Sequence, residues 1–254
     1  MTTTDTIVSR PSTPTSRILA VTKLHLANPW TIITLPWMIL GIIFAASVVV
    51  WLLIHAAAGP QSFGETLEGT QWSGGLNYIF VYMMVVAVQA ISITFPFALG
   101  YGVTRRDFYL GSAVTFVGLS AMYSLGLAIL AEVEVATNGW GLGGTMFAPI
   151  YFGEGFFQRL FIFFVTHLFF FFVGSVFASI WVRWKATGVT AAILALGLLL
   201  LGVGAILTLT ENWPAFGGFF VHFGFVGSYA WSLVLTVLAG LAGFFILRRA
   251  TPKS

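Results

Sequence analysis

The sequence predicts an all-α integral membrane protein with six transmembrane helices, cytoplasmic N- and C-termini and a short N-terminal interfacial helix. Three observations lead to this fold class: an apolar composition, six long apolar runs, and basic residues that gather between those runs. Of the 254 residues, 58% are hydrophobic and only 7% are charged, whereas about a quarter of a soluble domain is charged. A chain with 26 Phe and 9 Trp carries more large apolar surface than one globular core buries. We therefore expect much of its surface to face lipid.

Six segments are long and apolar enough to cross a bilayer as helices. A hydrocarbon core of about 30 Å requires about 20 apolar residues in a helix, and backbone polar groups in lipid must bond within the protein. Arg159, near the start of the fourth segment, is the only Asp, Glu, Lys or Arg within the six. The predicted spans are residues 31–57, 76–100, 111–131, 157–180, 189–209 and 228–247.

The basic residues predict the orientation of these spans. Cytoplasmic loops carry an excess of Lys and Arg, and all basic residues except Arg159 fall on one side of the predicted topology. They are Arg10, Arg17, Lys23, Arg105, Arg106, Arg183, Lys185, Arg248, Arg249 and Lys253. We expect that side to be cytoplasmic and the protein to lie in the cell (plasma or inner) membrane. The net charge of +3 is not gathered on one face of a domain, so no nucleic-acid partner is expected.

The chain before the first span divides into a tail and a helix. Residues 1–15 are rich in Thr, Ser and Pro, have little to bury, and are expected to form a disordered cytoplasmic tail. Residues 16–254 then form the six-helix transmembrane domain. Residues 16–27 could be a helix on the inner membrane surface, ended by Asn28-Pro29 because the residue before proline disfavours helical geometry.

Prolines and glycines predict irregular backbone at a few places. Pro36 and Pro96 each remove a backbone donor inside a span, so both helices are expected to kink or unwind there. The outer segments 139–144 and 213–220 are rich in Gly and aromatic residues and are predicted to bend. The second could form a re-entrant turn, which requires protein or water to cover its backbone.

Several chemistries are missing from the sequence. There is no Cys, hence no thiolate nucleophile or thiolate metal site, and no G-x-x-x-x-G-K-[ST] phosphate loop. No Ser, His and acid set suggests a hydrolase, so we expect a protein that is not an enzyme and holds no cofactor or metal of its own. A haem- or metal-binding subunit using His55, His167 and His222 remains an alternative, although no two of these are spaced as ligand pairs.

Four polar side chains at membrane depth are candidates for a translocation path. Gln89, Ser92 and Thr94 lie in the second span and His167 lies in the fourth. Polar residues inside a membrane often mark a substrate pathway, but they also bond across helices with no further role. Both interpretations stay open.

The cytoplasmic loop between the second and third spans reads FPFALGYGVTRRDFYLG over residues 95–111. With six spans, an elbow helix and a glycine, basic and aromatic loop, the chain resembles the permease subunits of type-2 ABC exporters over most of its length. The resemblance implies that this loop couples to a separate ATP-binding-cassette ATPase and that a second permease chain, alike or related, completes a dimer. The implied coupling residues are Gly102, Arg105, Arg106, Asp107, Phe108 and Tyr109.

Each coupling residue has an implied role. Arg105, Arg106 and Asp107 would make polar contacts to the ATPase, while Phe108 and Tyr109 would wedge into its cleft. ATP would bind the partner subunit only. The expected cargo is hydrophobic or amphipathic: a drug, peptide, lipid or lipid-linked glycan. The plainer interpretation is a turn whose arginines only set topology and whose Asp107 only caps the third span; a non-transport accessory or scaffold protein is the corresponding alternative function.

Overall fold

The structure is a computed structural model that describes residues 13–57, 69–72 and 74–250; these form helices and turns, with no strand among them. The main helices are α1 (Pro14–His25), α2 (Leu35–Ala57), α3 (Asn77–Gly100), α4 (Arg105–Ala136), α5 (Phe156–Leu209) and α6 (Trp213–Arg248). Shorter helical turns lie at Trp30–Thr34, Gly69–Trp72, Gly139–Gly143 and Ile150–Phe152. Of the predicted disordered tail, residues 1–15, the first twelve lie outside the described part.

Five helical segments in the described part of the chain are long and apolar enough to cross a membrane. They are Trp30–Ala57, Asn77–Gly100, Arg105–Ala136, Phe156–Leu209 and Trp213–Arg248. The predicted class, an all-α multi-pass membrane protein, is confirmed at this level.

Helix α5 contains two of the predicted spans, 157–180 and 189–209. Its 54 residues correspond to about 80 Å of helix, well beyond a hydrocarbon core of about 30 Å. Lys185 interrupts it with φ 56° and ψ −149°, close to a backbone region that only glycine adopts at low cost. The strain at this residue is on the order of 1–3 kcal/mol, and it separates the two apolar stretches.

Helix α1 begins slightly earlier than the sequence indicated. The Thr13 hydroxyl accepts from the Ser16 N–H at 3.3 Å, and Pro14 occupies the first helical turn, where its missing N–H costs nothing. The helix therefore starts inside the segment that was predicted to be a disordered tail. It packs on α4 through Gly111, where an added Cβ would lie 2.6 Å from the Cβ of Val21.

The core lies among α3, α4 and the first half of α5. The rings of Phe116 and Phe171 stack at 4.9 Å between centroids, and Phe80 is fully buried with its ring 6.0 Å from that of Phe170. At Gly174 an added Cβ would lie 2.5 Å from the carbonyl oxygen of Met84. At this position a glycine therefore allows α3 and α5 to pack closely.

The first span opens with a wide π-helical turn, Trp30–Thr34, immediately before Pro36. Proline has no N–H to donate to the carbonyl four residues earlier, which belongs to Ile32. The hydroxyl of Tyr123 on α4 donates to that Ile32 carbonyl instead. The predicted irregularity at Pro36 is therefore present and compensated, whereas α3 continues past Pro96 to Gly100.

The second half of α5 and the first half of α6 are largely exposed within the described chain. Leu198 and Leu201 are each 71% exposed, as expected of helices that face lipid or another chain. Helix α6 is interrupted at Gly224, with φ 63° and ψ −174°. The break folds the two parts towards each other, since the rings of Phe219 and Trp231 lie 6.1 Å apart.

Candidate functional site

The turn between α3 and α4 is short, and hydrogen bonds join it to both helix ends. Helix α3 ends in a Schellman-type turn: the Gly102 N–H donates to Leu99 O at 3.0 Å and the Val103 N–H to Ala98 O at 3.1 Å. Gly102 has φ 78°, a conformation that favours glycine. Thr104 then caps α4 by accepting from the Asp107 N–H at 3.1 Å. The cap is Thr104, not Asp107 as the sequence suggested.

Two polar contacts tie this turn to other helices. The Asp107 carboxylate pairs with the Arg17 guanidinium of α1 at 2.8 Å, and Asp107 is only 5% exposed. The Arg105 guanidinium donates to the Arg248 carbonyl, at the end of α6, at 3.0 Å. The turn is therefore joined to α1, α3, α4 and α6 at once.

The structure corrects the expected role of two aromatic residues. Phe108 is fully buried, with its ring 5.2 Å from that of Phe95 on α3. Tyr109 donates to Gly240 O at 2.7 Å and is also buried. Both side chains fill contacts within this chain, so neither is free to wedge into a partner's cleft. Asp107 is likewise turned inward.

The exposed surface of the turn is small and combines an aromatic ring, a glycine and a cationic side chain. Tyr101 is 75% exposed, and Gly102 and Arg106 are also exposed. Arg105 is half-buried against α6. Tyr101 was missed as a site residue, although it precedes the glycine directly; Arg17 gave no sequence signal because its partner lies 90 residues away.

The histidine at the α1–α4 contact is buried between aromatic and hydroxyl groups. The His25 Nε2 lies 2.8 Å from the Ser112 hydroxyl, and its ring meets that of Phe108 edge-on at 5.6 Å. Burial removes water from the imidazole and lowers the pKa of His25 to about 4, because a charged ring is poorly solvated there. Burial therefore favours the neutral form of His25 in this contact.

The four predicted path residues do not form one site. Ser92 and Thr94 donate to carbonyls of their own helix, and Gln89 is exposed. His167 is fully buried, with Nδ1 2.8 Å from Phe163 O and its ring 4.7 Å from that of Phe80. Because Phe80 lies two and a half helical turns from Gln89 on α3, His167, which contacts Phe80, is separated from Gln89.

Among the described residues, the histidines do not gather with other metal-ligating side chains. Within residues 13–57, 69–72 and 74–250, no three His, Asp or Glu side chains come close enough to share an ion. His167 is enclosed by Phe80 and by the Tyr123 ring at 5.7 Å. The His55 Nε2 lies 3.3 Å from Leu142 O, in the outer glycine-rich segment.

That outer segment is organised by a buried carboxylate. Glu134 is 2% exposed and accepts from the backbone N–H groups of Met146, Phe147 and Ala148 at 2.9–3.1 Å. The Trp140 indole donates to it at 3.1 Å. Bonds to an ionised acceptor are stronger than neutral ones, so Glu134 fixes the path of this segment. No sequence pattern predicted this role of Glu134.

A cavity of about 690 Å³ opens beside the break in α6. Its wall includes Tyr151, Phe220, Phe225, Ser228 and Tyr229. The Ser228 hydroxyl donates to Gly224 O at 2.6 Å, covering part of the backbone that the break exposes. Ligand pockets typically measure about 300–1,000 Å³ and combine apolar walls with a few polar groups. This cavity has the size and composition for a small amphipathic molecule.

Comparison of the chain with models of protein families, with curated proteins and with solved structures finds no match.

Proposed function

We propose that this chain is the membrane-spanning permease subunit of an ABC exporter, powered by a separate ATPase and paired with a second permease chain. The observation that carries the proposal is the short turn at Gly102. It links α3 to α4 directly, and the Arg17–Asp107 and Arg105–Arg248 contacts join it to α1 and α6. A partner that moves this turn displaces four helices together.

The proposed topology has six spans with both termini in the cytoplasm of a cell (plasma or inner) membrane. It divides α5 at Lys185, where the backbone leaves helical geometry and where Arg183 and Lys185 supply the positive charge typical of a cytoplasmic connection. The end of α6 at Arg248 and the turn at Arg105 then lie on the same side.

The coupling surface in this proposal consists of Tyr101, Gly102 and Arg106. Tyr101 offers an exposed ring that can enter a pocket, and Tyr and Arg are common anchors of interfaces. The turn is short and held in place, because backbone N–H groups at both helix ends are hydrogen-bonded. Packed helices move as rigid bodies when pushed at such a point.

The proposed cargo is hydrophobic or amphipathic: a drug, peptide, lipid or lipid-linked glycan. The cavity at Gly224 supports this class, since aromatic walls carry the hydroxyls of Tyr151, Ser228 and Tyr229. ATP binds and is hydrolysed on the partner subunit in this scheme, and the chain itself contributes no cofactor.

The test is co-purification from native membranes in mild detergent. We expect a P-loop ATPase in stoichiometric amount with the tagged wild-type chain, and its loss from the Tyr101→Ala, Arg106→Ala double variant. Lys23→Ala, which removes an exposed charge from α1, is the matched control and should retain the ATPase. Phe108 is excluded from the variants because its loss would open a cavity in the core.

The outcomes separate the proposal from its alternatives. An ATPase that stays bound to the double variant would show that the transporter is real but the coupling surface lies elsewhere. Absence of any ATPase from the wild-type preparation would refute the permease proposal and favour an accessory or scaffold protein. A visible haem spectrum or bound metal would favour the cofactor-binding alternative.

A further inference from the structure

A groove of about 460 Å³ lies between the broken part of α5 and the last turns of α6. It is lined by apolar and small residues, among them Ile180, Trp184, Gly188, Ala192 and Ile246. Its lining on α5 extends from Ile180, before the Lys185 break, to Ala192 in the next helical stretch. A hydrocarbon chain is the kind of group that such a wall accepts.

The break itself shapes this groove. At Gly188 an added Cβ would lie 2.4 Å from the Cβ of Trp184, so the chain folds closely on itself just after Lys185. The guanidinium of Arg183 lies over the Trp184 ring, 4.3 Å from its centroid. A cation therefore lies against Trp184 in the groove wall, and we call this part of the groove its cationic mouth.

Two more cationic residues lie close to the groove along the chain. Arg248 and Arg249 follow the groove residue Ile246 by two and three positions, and both are exposed. The described part of the chain forms two ion pairs, Arg17 with Asp107 and Arg159 with Glu132. Neither pair uses a cation of the groove, so these charges are not neutralised within the described chain.

We propose that this groove binds an anionic phospholipid, with one acyl chain along the apolar wall and the phosphate at the cationic mouth. The cationic residues closest to the groove lining along the chain are Arg183 and Lys185, on either side of Trp184, and Arg248 and Arg249, which follow Ile246. One molecule with an alkyl chain and a phosphate satisfies both the apolar wall and the unpaired charge. Basic pockets between membrane helices bind lipid head groups in this manner. The site does not depend on the ATPase or on the cargo.

The test uses the purified full-length chain in detergent, with phosphatidylglycerol added in small molar excess and retention counted by native mass spectrometry. We expect the wild type to retain phosphatidylglycerol in preference to phosphatidylcholine. The Arg183→Gln, Arg248→Gln double variant should bind it about 30-fold more weakly, the effect of two cationic heads. Ala192→Phe, which fills the groove without changing charge, should also lose the lipid. Lys23→Gln removes one charge at the same end and should bind normally.

Three results would overturn the proposal. Equal loss in Lys23→Gln and in the double variant would indicate general surface attraction. Normal binding by Ala192→Phe would show that no chain enters the groove. Because the chain contains no Cys, Ala192→Cys offers a clean third test: an intermolecular disulfide in native membranes would show that a second copy covers the groove.

Discussion

Replacing Asp107 with Asn should weaken the attachment of α1 by about 2 kcal/mol. Removing one partner of a buried ion pair costs about 3–5 kcal/mol. The Asp107 side chain is 7% exposed but that of Arg17 is 33% exposed, so the remaining guanidinium keeps part of its hydration.

The assay is hydrogen exchange of residues 14–25 together with thermal unfolding in detergent. A double-mutant cycle with Arg17→Gln should give a coupling energy above about 1 kcal/mol, because the two side chains contact each other directly. Arg106→Gln is the matched control: it removes a charge from the same turn of α4 but from an exposed position, and should change stability by less than about 0.5 kcal/mol. The reasoning would be refuted if the effects of Asp107→Asn and Arg17→Gln on stability were additive. Unchanged hydrogen exchange of α1 in Asp107→Asn would refute it as well.

Three further predictions use the same purified chain. Docking of α1 should be strongest above pH 6.5 and weaken as pH falls towards 4. The reason is that the pKa of His25 is lowered to about 4 in the fold, so the undocked ring is protonated at a higher pH than the docked one. His25→Gln should flatten this part of the hydrogen-exchange pH profile. Gly174→Ala should destabilise the bundle by about 1–3 kcal/mol in a thermal melt, because the new Cβ meets a backbone oxygen, whereas Gly202→Ala, with nothing within 4 Å, should be neutral. Glu134→Gln should make the outer glycine-rich segment sensitive to limited proteolysis, since an amide loses charge-assisted bonds worth about 1.5–3 kcal/mol each, while the exposed Glu154→Gln should leave cleavage unchanged.

The long apolar runs predicted the helices well because lipid allows few other structures. The six predicted spans fall inside helical segments apart from Leu76, which directly precedes α3, and a helix is present before the first span. The exact bounds were harder to predict. The third span was expected from Gly111, whereas α4 starts at Arg105, since a Thr cap and a polar first turn do not register as hydrophobic.

This boundary explains the error at Phe108 and Tyr109. In a loop, two aromatic residues beside arginines suggest an exposed anchor. Within the first turns of a helix, the same residues face fixed directions, and here they face α3, α1 and α6. The sequence could not show this, because the contacts join segments far apart along the chain.

Long-range polar pairs were also beyond the sequence. Arg17 and Asp107, like Glu134 and the backbone of residues 146–148, have no local spacing that marks them. The sequence separated the fourth and fifth predicted spans around Lys185, but it did not predict the backbone geometry there, because a lysine is a poor choice for a positive φ of 56°.

The contact between Tyr123 and the Ile32 carbonyl has an evolutionary consequence. Pro36 has no N–H to donate to the Ile32 carbonyl, and the Tyr123 hydroxyl donates to that carbonyl instead. The two residues therefore act on the same backbone acceptor. A residue other than proline at position 36 restores an N–H that competes with the hydroxyl for the same oxygen. Among homologous chains, changes at Pro36 and Tyr123 are therefore expected to occur together, and an alignment deep enough to measure covariation should detect this pair.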